Sequence, residues 1–345
     1  MVQCIGIIGG NGVIGYKLAT LLANHQNINV IITSRQLQPQ HELPPHVTFT
    51  TVHLEREDEI ISLIRRCDLI INCTGKAIRQ LLRYCLTYHT HYIDASGDIQ
   101  WANNEAELHS QLSRAKLNAI QFAGVNPGLT EVLLDYTYRR NEVKSLEMYF
   151  SGTGHLSKSA VLEMMTTSNP PYAYNQMYLV QGELTPTNYM MTTRQLESDA
   201  PPYHCIPIIN QHFINYIKQT TINEAHFFNA FKDDSIIYKM ARAKYHFDQH
   251  DITSAITILR NEFEADANRH EPFTCISLLL NDNKTISIRW SQDWNDVTAL
   301  TLYWTAILIL QGNVKQHGLT NLYEAIDAET LLNMLQQESH CYFHN

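Results

Sequence analysis

The chain has 345 residues, which suggests two domains rather than one. Its hydrophobic share of 44% is ordinary for a protein with buried cores. The net charge of −9, from 34 acids against 25 bases, leaves neither the basic stripe of a nucleic-acid binder nor a polybasic segment for an anionic membrane.

The seven cysteines are Cys4, Cys67, Cys73, Cys85, Cys205, Cys275 and Cys341. None forms a CxxC pair and the number is odd, so neither a disulfide framework nor a zinc knuckle is expected, and a reducing cytoplasm is the expected setting. The chain opens directly on an apolar strand, so no signal peptide is expected. The longest apolar run, 299–310, falls short of the roughly 20 residues that cross a bilayer and reads as a buried helix. The 17 histidines show no metal-ligand spacing, and no metal is expected.

In chain order, strands are expected at 4–8, 29–33, 47–52, 68–72, 92–95 and 119–123, with helices at 13–24, 57–66, 78–87 and 104–116. Strands alternating with helices of this length indicate βαβ units and a parallel sheet. Their continuous apolar runs suit a sheet covered on both faces. The fold class expected is α/β: an N-terminal Rossmann doubly wound parallel sheet followed by a second, mixed α+β domain.

Between the first strand and the first helix stands Gly10-Asn11-Gly12-Val13-Ile14-Gly15. Gly10 is assigned to the tight turn, Gly12 to close approach of a pyrophosphate, and Gly15 to close packing of helix on strand. The helix N-terminus offers N–H groups and the positive end of its dipole to phosphate. Strand before and helix after are the context that makes GxGxxG a dinucleotide motif. At the end of the second strand an NAD enzyme places an acid for the ribose 2′-hydroxyl, whereas this chain has Thr33-Ser34-Arg35. Arg35 can pair with a 2′-phosphate and Ser34 can donate to it, so the expected cofactor is NADP(H).

Four segments carry a resemblance: Gly9 to Gly15, Asp68-Leu69-Ile70-Ile71-Asn72-Cys73-Thr74-Gly75, His91-Tyr92-Ile93-Asp94-Ala95-Ser96-Gly97-Asp98, and Ala123-Gly124-Val125-Asn126-Pro127-Gly128-Leu129. In order and spacing they resemble the saccharopine dehydrogenase-like (saccharopine reductase-type) oxidoreductases. A fainter likeness continues through Ile206-Pro207-Ile208 and the closing segment 312–332. Lys76 stands where that family often has proline, and Asn126 where it often has an acid. The resemblance implies NADP(H)-dependent chemistry on a C–N bond and a homodimer. It places Cys73, Thr74 and Gly75 near the nicotinamide ribose or pyrophosphate, Ser96, Gly97 and Asp98 on the nicotinamide side, and Asn126 and Gly128 at the start of a following helix.

The cofactor carries hydride, so the protein must orient the substrate and supply a proton. Lys76, read as opening a helix beside the nicotinamide, Asp98 and His155 are the catalytic candidates; Lys158 and Tyr174 are further donors. Asp94 is read as structural. His155 lies in Ser151-Gly152-Thr153-Gly154-His155-Leu156-Ser157-Lys158-Ser159, a small-residue loop between a strand and a helix in which Ser157 or Ser159 can cap.

Beyond it, strands are expected at 146–150, 177–180, 188–192, 205–208, 273–280 and 285–290, and helices at 160–167, 210–218, 223–231, 235–247, 252–265 and 296–310, with a closing helix from 329. The domains expected are 1–128 for the cofactor, 129–295 for substrate and dimerisation, and 296–345 returning to the cofactor domain. Arg194 is the only arginine from 150 to 241, whereas opine and saccharopine substrates carry several carboxylates. The expected substrate is therefore a less charged imine or thiazoline-type ring, a small molecule or a carrier-tethered one. An opine-type dehydrogenase, a trans-acting enoyl reductase and a non-catalytic NADP(H)-binding sensor are the alternatives. No nucleic-acid or membrane partner is expected.

Overall fold

The computed structural model describes residues 2–97, 105–197, 200–338 and 340–344. The chain divides into two units, one running through Val132 and resuming over Asn295–Leu335, the other spanning Leu133–Trp294 and 336–345.

The first unit opens with β1 (Gln3–Ile8), α1 (Val13–Ala23), β2 (Ile28–Ser34), β3 (Val47–Thr51) and α2 (Glu57–Ile64). It continues through β4 (Leu69–Asn72), α3 (Arg79–Thr87), β5 (His91–Asp94), α4 (Glu105–Arg114) and β6 (Asn118–Gln121). Next, α5 (Leu129–Tyr138) carries the chain across the boundary between units. The sheet is fully parallel, ordered 3-2-1-4-5-6 from β3 to β6, the doubly wound order that places ligand sites at the carboxyl ends of the strands. Ile5 and Ile7 are wholly buried at its centre, as are Leu69, Ile70 and Ile71, which is why these strands read as unbroken apolar runs.

The second unit contributes β7 (Ser145–Gly152), α6 (Lys158–Thr166), β8 (Ala173–Asn175), β9 (Met177–Val180), β10 (Glu183–Pro186) and β11 (Thr192–Arg194). Then come β12 (Tyr203–Asn210), α7 (Gln211–Ile217), β13 (Glu224–Phe231), α8 (Ser235–Asp248), α9 (Ile252–Arg269), β14 (Thr274–Leu280) and β15 (Lys284–Trp290). The sheet is mixed: β7 runs parallel to β13 and antiparallel to β14, and β12 pairs β13 with β8 and β11 along it. The helices α6, α8 and α9 share an apolar cluster around Val161, Ile236, Leu259 and Phe263.

The last stretch divides. The first unit takes α10 (Trp294–Leu310) from Asn295 onward, β16 (Gly318–Asn321), α11 (Leu322–Ala325) and α12 (Ala328–Gln336) as far as Leu335. Strand β16 adds a seventh, parallel strand beside β6. Strand β17 (Cys341–His344) instead pairs antiparallel with β15 in the second sheet, so the expected single C-terminal piece, 296–345, does not hold together. The apolar run of α10 is explained by burial nearly all round, including Val297, Leu302 and Leu308. Among the described residues no helix is long and apolar enough to cross a membrane.

One element changes type. The helix expected at 223–231 is β13, a central strand. On one face His226 and Phe228 stack between Tyr178 and Tyr149, and on the other Phe227 meets Phe213 edge-on. With apolar residues needed on both faces, the two-residue period disappears from the sequence and the strand is indistinguishable from a short helix. The strand expected at 188–192 is not formed there: 188–191 is irregular, and β11 takes only Thr192 from that span.

Candidate functional site

The turn after β1 is built by contacts that exclude side chains. Gly9 carries φ +81, so the positive-φ position of the turn is Gly9 rather than Gly10. A Cβ on Gly10 would lie 2.4 Å from the Ile32 Cβ, and one on Gly15 would lie 2.5 Å from the Gly9 carbonyl oxygen. Gly10 thus lets the turn lie against β2, and Gly15 lets α1 lie against the turn. Gly12 is the N-cap of α1, without a side-chain cap and with no acid in the first turn. Val13 is exposed and Ile14 half-buried there. This is an uncapped helix N-terminus whose cap position has no side chain and whose first turn has no negative charge, which fits a pyrophosphate.

Ser34 ends β2 and Arg35 follows it, exposed, making no ion pair among the described residues. The Ser34 hydroxyl accepts from the Gln36 N–H at 3.2 Å. Asn11 braces this segment: its amide donates to Gln36 Oε1 at 3.1 Å and to the Gln38 carbonyl at 3.3 Å, while its oxygen accepts from the Gln40 N–H. Its carboxamide is therefore engaged with the Arg35 loop. Tyr16 extends the brace, with its ring 4.3 Å from that of His41.

Two further loops at the carboxyl edge of the sheet share one buried network. Asn72 and Asp94 stand opposite each other in the β4–β5 register, and Asn72 Nδ2 donates to Asp94 Oδ2 at 3.1 Å. The same carboxylate accepts from the Tyr92 hydroxyl at 2.7 Å and from the Ser96 N–H at 2.8 Å. Asn72 also donates to the Lys76 carbonyl at 2.7 Å and accepts from the Thr74 hydroxyl at 2.8 Å. Burial pushes the Asp94 carboxyl above its usual range against the pull of Tyr92, Ser96 and Asn72. Asp94 is thus the tie between the 73–76 and 95–97 loops, as a structural reading of it requires.

The remaining candidates fall as follows. Cys73 is half-buried, burial pushes its thiol pKa up, and its carbonyl carbon would lie 3.1 Å from a Cβ on Gly9, which brings the 73–76 loop against the glycine turn. Gly75 turns this loop with φ +73. Lys76 is exposed and sits in the loop, not at a helix start; α3 begins only at Arg79, with Ile78 as its N-cap. Ser96 is buried and Gly97 half-buried. Asp98 lies outside the described residues. Asn126 is half-buried, in a cis Asn126–Pro127 peptide. Gly128 donates its N–H to Glu131 Oε2 at 2.7 Å, so the start of α5 is capped by Glu131, which the sequence reading missed. Glu131 is buried and its carboxyl is raised by burial. An acid three residues beyond the glycine of Pro127-Gly128 was the available signal.

In the second unit, His155 is exposed between buried Gly154 and buried Leu156. Its loop is fixed at both sides: the Thr153 N–H donates to the Phe273 carbonyl at 2.9 Å, and Trp294 donates its N–H to the Thr153 carbonyl at 3.1 Å. Gly154 has φ +158, and a Cβ on it would meet the Trp294 indole at 2.4 Å. Ser157, of the two serines expected, is the N-cap of α6, accepting from the Ala160 N–H at 3.0 Å. Lys158 is exposed, and Tyr174 lies half-buried in β8. Arg194 is engaged by the Tyr149 hydroxyl at 3.0 Å and by Glu147.

Residues 5–120 match the family model described as saccharopine dehydrogenase NADP binding domain. The N-acetyl-gamma-glutamyl-phosphate reductase of Staphylococcus saprophyticus is 28% identical over 142 residues, which are 37% of this chain and 40% of that protein. The aligned part therefore spans well under half of that relative. Among solved structures, apo saccharopine dehydrogenase (L-Glu forming) from Saccharomyces cerevisiae superposes with a TM-score of 0.68 at 12% identity, covering 99% of this chain and 100% of that one. A DAP dehydrogenase from C. glutamicum reaches a TM-score of 0.48 at 12% identity, covering 98% of this chain and 100% of that one. The fold is that of the yeast enzyme, and the match of residues 5–120 to a domain described as NADP-binding supports NADP(H) as the cofactor.

Proposed function

We propose that the chain is an NADPH-dependent oxidoreductase that reduces a C=N bond, a reading supported by the match of residues 5–120 to the saccharopine dehydrogenase NADP binding domain. The observation that supports this most is the set of three loops at one sheet edge: the Asn72-to-Lys76 loop and the Ser96 loop are joined through Asn72 and Asp94, and the glycine turn packs against the first of them at Cys73.

In this reading NADPH, when bound, supplies the hydride that reduces the imine carbon. The chain does the rest. The α1 N-terminus holds the pyrophosphate, with Gly12 admitting it to the backbone, and Arg35 and Ser34 hold the 2′-phosphate. Thr74, Gly75, Gly97 and Asn126 line the nicotinamide end. The imine nitrogen gains a proton as its carbon gains hydride, so a donor is needed at that nitrogen. Lys76 and His155 are the donors proposed among the described residues, with Asp98 a third candidate.

We propose a substrate with few carboxylates, free or carrier-tethered. Arg194 stands alone from 150 to 241, and its guanidinium is engaged by Glu147 and Tyr149. The test follows NADPH oxidation with cyclic imines and thiazolines, and in parallel with glyoxylate, pyruvate or α-ketoglutarate plus amino acids. Turnover with the rings and not with the keto-acid pairs is expected; efficient turnover with the pairs contradicts the proposed substrate class. H155A and K76M separate the donors, since loss of the donor lowers kcat and shifts the pH profile while NADPH affinity is kept.

A further inference from the structure

We infer that Cys4 and Cys67 form a dithiol that a small disulfide converts into an intramolecular disulfide. Cys4 belongs to β1, and Cys67 lies in the turn ahead of β4. The two strands are parallel neighbours, with Ile5 opposite Leu69. Just before that pair, the Asp68 N–H donates to the Cys4 carbonyl and the Cys4 N–H donates to Asp68 Oδ2, each at 2.8 Å. This two-way clamp fixes Cys4 beside the residue that follows Cys67.

The result is an Sγ–Sγ separation of 3.8 Å. No other two cysteine sulfurs among the described residues approach this closely. Gly6 helps to create the approach, because a Cβ there would lie 3.0 Å from the Cys67 sulfur and 2.7 Å from Ile70 Cδ1. Cys67 is buried in the apolar cluster with Leu63 and Ile70, whereas Cys4 is half-buried at its edge, so a small oxidant reaches the pair from the Cys4 side. The hydrogen bond shared with Cys67 holds the Cys4 thiol below its ordinary range, with Arg66 adding to the effect. Cys73, Cys85, Cys205, Cys275 and Cys341 are all pushed upward by burial. The thiolate is the attacking species, so Cys4 reacts first.

The step balances as ordinary exchange. Cys4 thiolate attacks one sulfur of oxidised glutathione and expels glutathione thiolate, leaving a mixed disulfide. Cys67 then loses its proton, attacks the Cys4 sulfur and expels the second glutathione. Two protein thiols are oxidised and one small disulfide is reduced to two thiols. The sulfurs must close by about 2 Å to reach bonding distance. The bond would link the strand that leads into the glycine turn with the strand that leads into the 73–76 loop.

The test uses the full chain, reduced, desalted, exposed to oxidised glutathione, alkylated and mapped by mass spectrometry. A linked Cys4–Cys67 peptide pair, lighter by two hydrogens, reversed by dithiothreitol and about tenfold above any other cysteine pair, is expected. C67S, checked for native circular dichroism, should hold glutathione on Cys4, and C4S should take no adduct at Cys67. Recovery of both cysteines alkylated from the wild-type protein, or a Cys4 adduct that persists beside a free Cys67, overturns the inference.

Discussion

Ile32 explains why the second position of the phosphate turn carries no side chain. A Cβ on Gly10 would lie 2.4 Å from the Ile32 Cβ and 3.0 Å from its Cα, so neither a rotamer change nor a small shift makes room. G10A should therefore cost about 1–3 kcal/mol of stability, read from the denaturant midpoint, and an unchanged midpoint contradicts the packing. Half-buried at the start of α2, Glu59 accepts from the His53 N–H and ring, and from Arg56. The His53 backbone hydrogen bond is the largest influence holding its carboxyl down, to about 2 against an ordinary value of 4.5. A depressed carboxylate stabilises the fold above the ordinary value and loses that contribution as pH falls toward the lower one. The thermal midpoint of E59Q should accordingly lie below that of the wild type above about pH 4.5, with the gap closing toward pH 2. A gap that stays constant with pH would contradict this. The glycines were legible from their spacing alone; the Asn72–Asp94–Tyr92 network was not, because it exists only through the strand register.

The elements of the first sheet could be read from the sequence because each strand is a short apolar run set off by an amphipathic helix. Where both faces of a strand are covered, as in β13, that contrast vanishes, and only the aromatic content, Phe227, Phe228 and Phe231, hints at the answer. The four-residue β16 escaped because it follows the long buried α10 and a short turn, a place where no alternation can develop. The loop before α6 was legible as a glycine-rich segment but not as a rigid one, since its clamp is Trp294, far along the chain. G154A forces a Cβ to within 2.4 Å of that indole and so must displace the loop. If the loop serves the reaction as proposed, kcat should fall by about tenfold or more while the Kd for NADPH stays within about twofold. A parallel loss of NADPH affinity, or an unchanged kcat, would contradict the assignment.

For the molecule as a whole, the division of labour is between a parallel sheet that holds a dinucleotide and a mixed sheet that carries the loop around His155. The fold class was within reach of the sequence, whereas the last strand was not: 341–344 alternates half-buried and exposed residues and gains its place only by pairing with β15. The substrate stays less legible than the cofactor for a physical reason. In the proposed reading, phosphate recognition would use backbone N–H groups at one fixed turn, whereas substrate recognition would use side chains scattered over the second unit. The account therefore stands most directly on the 2′-phosphate. Titrating the wild-type protein and R35E with NADPH and with NADH by fluorescence or calorimetry decides it. The wild type should bind NADPH at least about tenfold more tightly than NADH, about 1.4 kcal/mol, and R35E should reverse that order. Equal affinities in the wild type, or an unchanged NADPH affinity in R35E, would contradict it.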